Sequence, residues 1–104
     1  MKTLEKLNAT IAARKFSAPE SSYTAKLLSQ GPEKCAKKFG EEAFELAMAA
    51  VQNDKENIAN EAADVLYHLL VLLQSADVPL ADVLAVLEKR EGTSGLVEKA
   101  NRNG

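Results

Sequence analysis

The chain has 104 residues, 46% of them hydrophobic and 27% charged, and no tryptophan. That length suits one domain of roughly 100–200 residues and excludes a large α/β enzyme fold. A formal net charge of −2, spread over mixed acids and bases, argues against a nucleic-acid binder, which carries a basic patch or stripe. The lone cysteine, Cys35, has no partner for an intrachain disulfide. Residues 1–15 lack the apolar core of a signal peptide. The longest aliphatic run, Leu69–Leu73, is far shorter than the ~20 residues of a membrane span. One soluble, cytoplasmic domain over residues 1–104 is expected. A chain this short has a modest core of its own, so association is a natural outcome.

Alanine, leucine, glutamate and lysine dominate, all strong helix formers, and clear strand alternation never occurs. The fold class is therefore all-α. Leu4, Leu7 and Ile11 recur at helical spacing and mark a first amphipathic helix that ends before Pro19. Residues 17–22 read as a loop, and residues 23–30 as a short helical segment stopped by Gly31. Pro32 suits the first position of a long helix to about Gln52, because its missing N–H costs nothing there. Asp54 is a good N-cap for a second long helix to about Ser75, and Asp77 with Pro79 starts another to about Arg90. Residues 92–104 are expected to form a loosely held tail with one further turn around residues 96–100. Short links make the three later helices consecutive antiparallel hairpins of an up-down bundle. The helix after Asp54 carries Val65, Leu66 and Leu69–Leu73 around nearly its whole circumference. Such a helix is buried on all sides, which favours a dimer with this helix near the centre.

The acids are the anomaly. Glu42 and Glu45 project from one face of the first long helix, and Glu61 and Asp64 from one face of the second. Each pair lies roughly ten residues from the connecting turn, so at about 1.5 Å rise per residue the pairs reach the same height. Four carboxylates then converge across one groove, where they repel each other and lose hydration. A hard divalent cation relieves both costs, and an all-oxygen set suits Mg²⁺ or Mn²⁺ rather than zinc. Against this stands the ordinary alternative of solvated acids paired with Lys37 and Lys38 one turn away. Mg²⁺ shares its shell with substrate phosphates, so such a site suits phosphate chemistry.

The spacing Glu42-x-x-Glu45, fifteen residues, Glu61-x-x-Asp64 resembles the ExxE…ExxD signature of the all-α nucleoside triphosphate pyrophosphohydrolases, the MazG-like group. Four segments, Ser22–Leu28 (SYTAKLL), Lys37–Glu45 (KKFGEEAFE), Glu61–Leu70 (EAADVLYHLL) and Gly92–Gly95 (GTSG), resemble the phosphoribosyl-ATP pyrophosphatase family within it. The likeness runs from Leu4 to about Arg102. It implies a helical homodimer that uses Mg²⁺ to hydrolyse phosphoribosyl-ATP to phosphoribosyl-AMP and pyrophosphate in histidine biosynthesis. It also implies that Glu42, Glu45, Glu61 and Asp64 form the metal-binding set. One acid not fully spent on the metal can hold or deprotonate the attacking water, and Glu45 or Glu41 is the candidate.

A substrate carrying a triphosphate and a ribose phosphate calls for cations. Lys34, Lys37 and Lys38 on the first long helix and Lys26 before it are the candidates, with ordinary surface lysines as the alternative. Arg90 ends its helix, where the dipole favours a cation in any case, and it is a further phosphate candidate. Tyr23 either stacks on the adenine or covers the core, and Ser22 and Thr24 suit capping better than phosphate binding. His68 is expected as a core or interface histidine rather than a ligand, Cys35 and Met48 as packing residues. Gly40 in mid-helix allows a close approach or is merely tolerated. Two rivals remain at this point: a housekeeping pyrophosphohydrolase acting on ordinary or damaged nucleoside triphosphates, and a metal-free helical dimerisation module.

Overall fold

The computed structural model describes residues 2–91. It contains α1 (Lys2–Arg14), α2 (Tyr23–Ser29), α3 (Pro32–Gln52), α4 (Lys55–Ser75) and α5 (Leu80–Arg90), with one 3-10 turn over Pro19–Ser21 inside the expected loop. No strand occurs among the described residues, and no single described helix is long and apolar enough to cross a membrane. The expected tail over residues 92–104 lies outside the described residues.

Local chemistry sets the joints. Ser22 caps α2, its Oγ accepting from the Ala25 N–H at 3.2 Å. Gly31 sits at φ +89°, a conformation that costs any residue with a Cβ, and turns the chain directly into α3 with Pro32 in the first turn. Asn53 ends α3 in the left-handed region at φ 56°, and the Asp54 carboxylate then accepts from the Asn57 N–H at 3.2 Å to start α4. This two-residue link folds α4 back along α3, and that packed hairpin is the backbone of the molecule. At the end of α4 the Val78 N–H reaches the Leu73 carbonyl at 2.9 Å and the Asp77 N–H reaches Gln74 at 3.2 Å. Those bonds make a Schellman stop with Asp77, at φ 58°, in the place glycine usually takes. Lys15, just past α1, pairs with the Asp77 carboxylate at 3.5 Å.

The core joins Ile11 of α1, Leu27 of α2, Cys35 of α3, Leu70 and Val71 of α4 and Leu80 of α5. The Cys35 thiol is buried among them and donates to the Leu27 carbonyl at 3.3 Å. This core gathers at one end of the α3–α4 hairpin. The rest of the hairpin is supported mainly by itself.

Two expectations need correction. The second antiparallel hairpin does not form: α5 leaves α4 with a bend of 114° instead of packing back along it. The stop at Asp77 ends α4, and its carbonyl pattern carries no information about where the chain must go next. Met48 is not a packing residue within the chain. It is 41% exposed, alongside Phe44 at 66% and Val51 at 80% on the same face of α3. The aliphatic surface of α4 is likewise not enclosed, since Leu66 stays exposed. Gly40 has open space where a Cβ would stand, so no close approach within the chain requires it.

Candidate active site

The two-residue link between α3 and α4 fixes their relative register, and with it the acids. Carboxylate oxygens of Glu42, Glu45 and Glu61 lie within 4.8 Å of one another across the hairpin. Glu42 is buried, Glu61 half-buried and Glu45 exposed, so the cluster opens to solvent on one side. Asp64 lies outside this group, exposed one turn further along α4. Burial, and then the charges of Glu45, Asp64 and Glu42, push the Glu61 carboxyl above its ordinary range. Its Oε2 is buried with no hydrogen-bond partner. A lone carboxylate oxygen aimed into a nest of like charges is destabilised on both counts. A divalent cation fits here: the donors are hard oxygens, close enough to share one ion, and one of them lacks any other partner.

Glu41 does not join this cluster. It lines a separate cleft of about 300 Å³ with Tyr23, Lys26, Leu27, Gln30, Lys34, Lys37 and Lys38. All four candidate lysines and the candidate aromatic therefore meet in one place, where the short α2 lies against the start of α3. Lys34, Lys37 and Lys38 reach it because they stand three and four residues apart on one face of α3. Arg90, at the end of α5, is not among the lining residues. Gln30 and Leu27 complete the wall and had no signal of their own in the sequence beyond their place next to Lys26 and Gly31.

Lys38 links the two regions. Its ammonium lies 3.5 Å from Glu42 Oε1, and Tyr23 foremost, then Glu42 and Glu41, raise its pKa against the opposing pull of burial. His68 backs the same carboxylate, with Nε2 at 3.9 Å from Glu42 Oε1. Burial depresses the imidazole's pKa, partly offset by Glu42. Tyr67 and Tyr23 both meet the imidazole edge-on. The Tyr67 hydroxyl in turn shares a hydrogen bond with Thr24, so Thr24 ties α2 to α4 while Ser22 alone does the capping.

Carboxylates converging across a helical hairpin, with a lysine-lined cleft beside them, are the equipment of a helical phosphohydrolase acting on nucleoside polyphosphates. The model of the phosphoribosyl-ATP pyrophosphohydrolase family matches residues 4–91, and the chain belongs to that family of hydrolases. It is 64% identical to the phosphoribosyl-ATP pyrophosphatase of Cereibacter sphaeroides over 98% of this chain and 99% of the relative. The corresponding enzyme of Dinoroseobacter shibae is 63% identical over 98% of this chain and all 100% of its own length. That of Rhodobacter capsulatus is 61% identical, with 98% and 99% coverage. The reading of the chain as a non-enzymatic helical module falls with this membership.

Proposed function

We propose that this chain hydrolyses phosphoribosyl-ATP to phosphoribosyl-AMP and pyrophosphate, the second step of histidine biosynthesis, using Mg²⁺ or Mn²⁺ as its metal. The observation that carries the reading is the meeting of three carboxylates across α3 and α4 beside a cleft with four lysines, in a chain so similar to enzymes of that name. Glu42, Glu45, Glu61 and Asp64 are the proposed metal set. The cation supplies charge neutralisation to the polyphosphate and to the departing pyrophosphate.

The chain's own residues do the rest. Lys26, Lys34, Lys37 and Lys38 hold the anionic groups as point charges, and Tyr23, more than half exposed at the cleft, offers its ring to the adenine. Glu45 is the exposed member of the acid cluster, which leaves it able to take the proton of an attacking water from solvent. Glu41 is the weaker candidate for that role, because it faces the lysines. Lys38 pairs with Glu42 at 3.5 Å and so joins the lysine cleft to the acid cluster.

The unit is proposed to be a cytoplasmic homodimer. Phe44, Met48 and Val51 form an apolar stripe at i, i+4 and i+7 on α3, with Leu66 exposed on α4. A stripe of that kind is unfavourable in water and matches the seam of a helical dimer. The metal assignment is tested by Glu42→Gln and Asp64→Asn. Each is expected to abolish pyrophosphate release from phosphoribosyl-ATP while the helical circular dichroism is unchanged. Substantial turnover in either variant removes that residue from the metal set.

A further inference from the structure

Two polar side chains are buried among the described residues, Glu42 at 9% exposure and His68 at 6%, and they face each other between α3 and α4. Burying a polar group is costly unless it has a partner, and the apolar core of Ile11, Leu27, Cys35, Leu70, Val71 and Leu80 does not need either of them. His68 stands behind Glu42, with its Nε2 3.9 Å from Oε1, and does not belong to the group formed by Glu42, Glu45 and Glu61. Its contact with the acid cluster therefore runs through Glu42.

The imidazole has a second set of neighbours. The Tyr67 ring meets it at a centroid distance of 4.9 Å and 81°, and the Tyr23 ring at 6.5 Å and 88°. Both are edge-on geometries that aromatic pairs favour. Tyr67 is anchored to α2 through Thr24, and Tyr23 is a wall of the lysine cleft. One buried side chain thus stands between a carboxylate of the acid cluster and the aromatic wall of the cleft.

We infer that His68 is a positioning residue: its Nε2 sets the Glu42 carboxylate for the metal, and its ring braces Tyr23 for the nucleotide. The two halves of the site are then held in one register by one side chain. This rests on the proposed metal role of Glu42. Groups that orient a metal ligand from behind are worth about 10–100-fold in metal affinity or activity.

The two contacts separate by substitution. His68→Phe keeps a ring against Tyr23 and loses the nitrogen at Glu42. His68→Gln carries an amide nitrogen about where Nε2 stands and loses the ring, while His68→Asn is too short to reach Glu42. Two readouts follow: Mn²⁺ binding to the metal-free protein, from the electron paramagnetic resonance of free Mn²⁺, and KM for phosphoribosyl-ATP at saturating Mg²⁺. His68→Phe should weaken Mn²⁺ binding about tenfold with KM little changed. His68→Gln should retain Mn²⁺ binding and raise KM about threefold to tenfold, the size of one edge-on ring contact. Should His68→Phe lose its helical circular dichroism, His68→Asn against His68→Gln gives the same comparison for the metal. A side chain that only fills space moves both readouts together in every variant, and that result overturns the inference. Parent protein that binds Mn²⁺ normally beside an unaffected His68→Phe overturns it alone. Parent protein that binds no Mn²⁺ overturns the metal reading as well.

Discussion

Phe44 offers the sharpest test of the proposed dimer, because its ring has no role in the core of its own chain. It is 66% exposed, in line with Met48 and Val51. A phenylalanine presents about 200 Å², so roughly 130 Å² is left for a partner to cover. At about 25 cal/mol per Å², less the methyl that alanine retains, Phe44→Ala costs about 2 kcal/mol per protomer. A two-fold interface counts the change twice, giving about 4 kcal/mol, or roughly a thousandfold in the dimer dissociation constant. Sedimentation velocity across a dilution series measures this directly. The variant should dissociate at concentrations where the parent stays dimeric, and its monomer should keep the parent's helical circular dichroism. Equal dissociation constants for the two proteins would place the interface elsewhere. A parent that is monomeric throughout would refute the dimer itself.

Two further outcomes bear on the acids and the helix that carries them. Glu61 is raised above its ordinary pKa, so the folded state binds its proton more tightly than the unfolded chain does. The cost is absent below the unfolded pKa, grows as pH rises toward the folded value, and is complete above it. Glu61→Gln should therefore raise the melting temperature of the metal-free protein at pH 7, with the gain shrinking as the pH is lowered through the carboxylate range. A loss of stability that is the same at every pH would contradict this. Gly40→Ala meets nothing within 4 Å and should gain about 1 kcal/mol, or about 4–8 °C in melting temperature for a domain of this size. A lower melting temperature would mean that the space beside Gly40 is filled in solution.

How much could be read in advance depended on whether the signal was local. The bounds of α3 and α4 follow from Gly31 with Pro32 and from Asn53 with Asp54, each a backbone or capping preference complete within a few residues. Because the link is only two residues long, the register of the hairpin follows too, and the meeting of Glu42, Glu45 and Glu61 was legible from spacing. Asp64 and Glu41 show the limit of that argument. Adjacent residues on a helix point about 100° apart, so Glu41 could not share the groove that Glu42 faces, and it turned toward the lysines instead. Asp64 shares a face with Glu61 and its charge acts on that carboxyl, but it is not one of the three acids whose oxygens meet within 4.8 Å, and spacing alone did not show which side chains would close that gap. The direction of α5 was not legible, since a stop signal at Asp77 ends a helix without stating the angle of the next. Nor was the pairing of Thr24 with Tyr67, which joins residues 43 positions apart.

The central claim is the reaction, and pyrophosphate release by the purified protein tests it most directly. Phosphoribosyl-ATP, ATP and dUTP are compared with Mg²⁺ and with EDTA. Release from phosphoribosyl-ATP alone, lost with EDTA, is the predicted result. Release chiefly from ATP or dUTP, or release that survives EDTA, would contradict it: the first would make the chain a housekeeping pyrophosphohydrolase, and the second would take the metal out of the acid cluster.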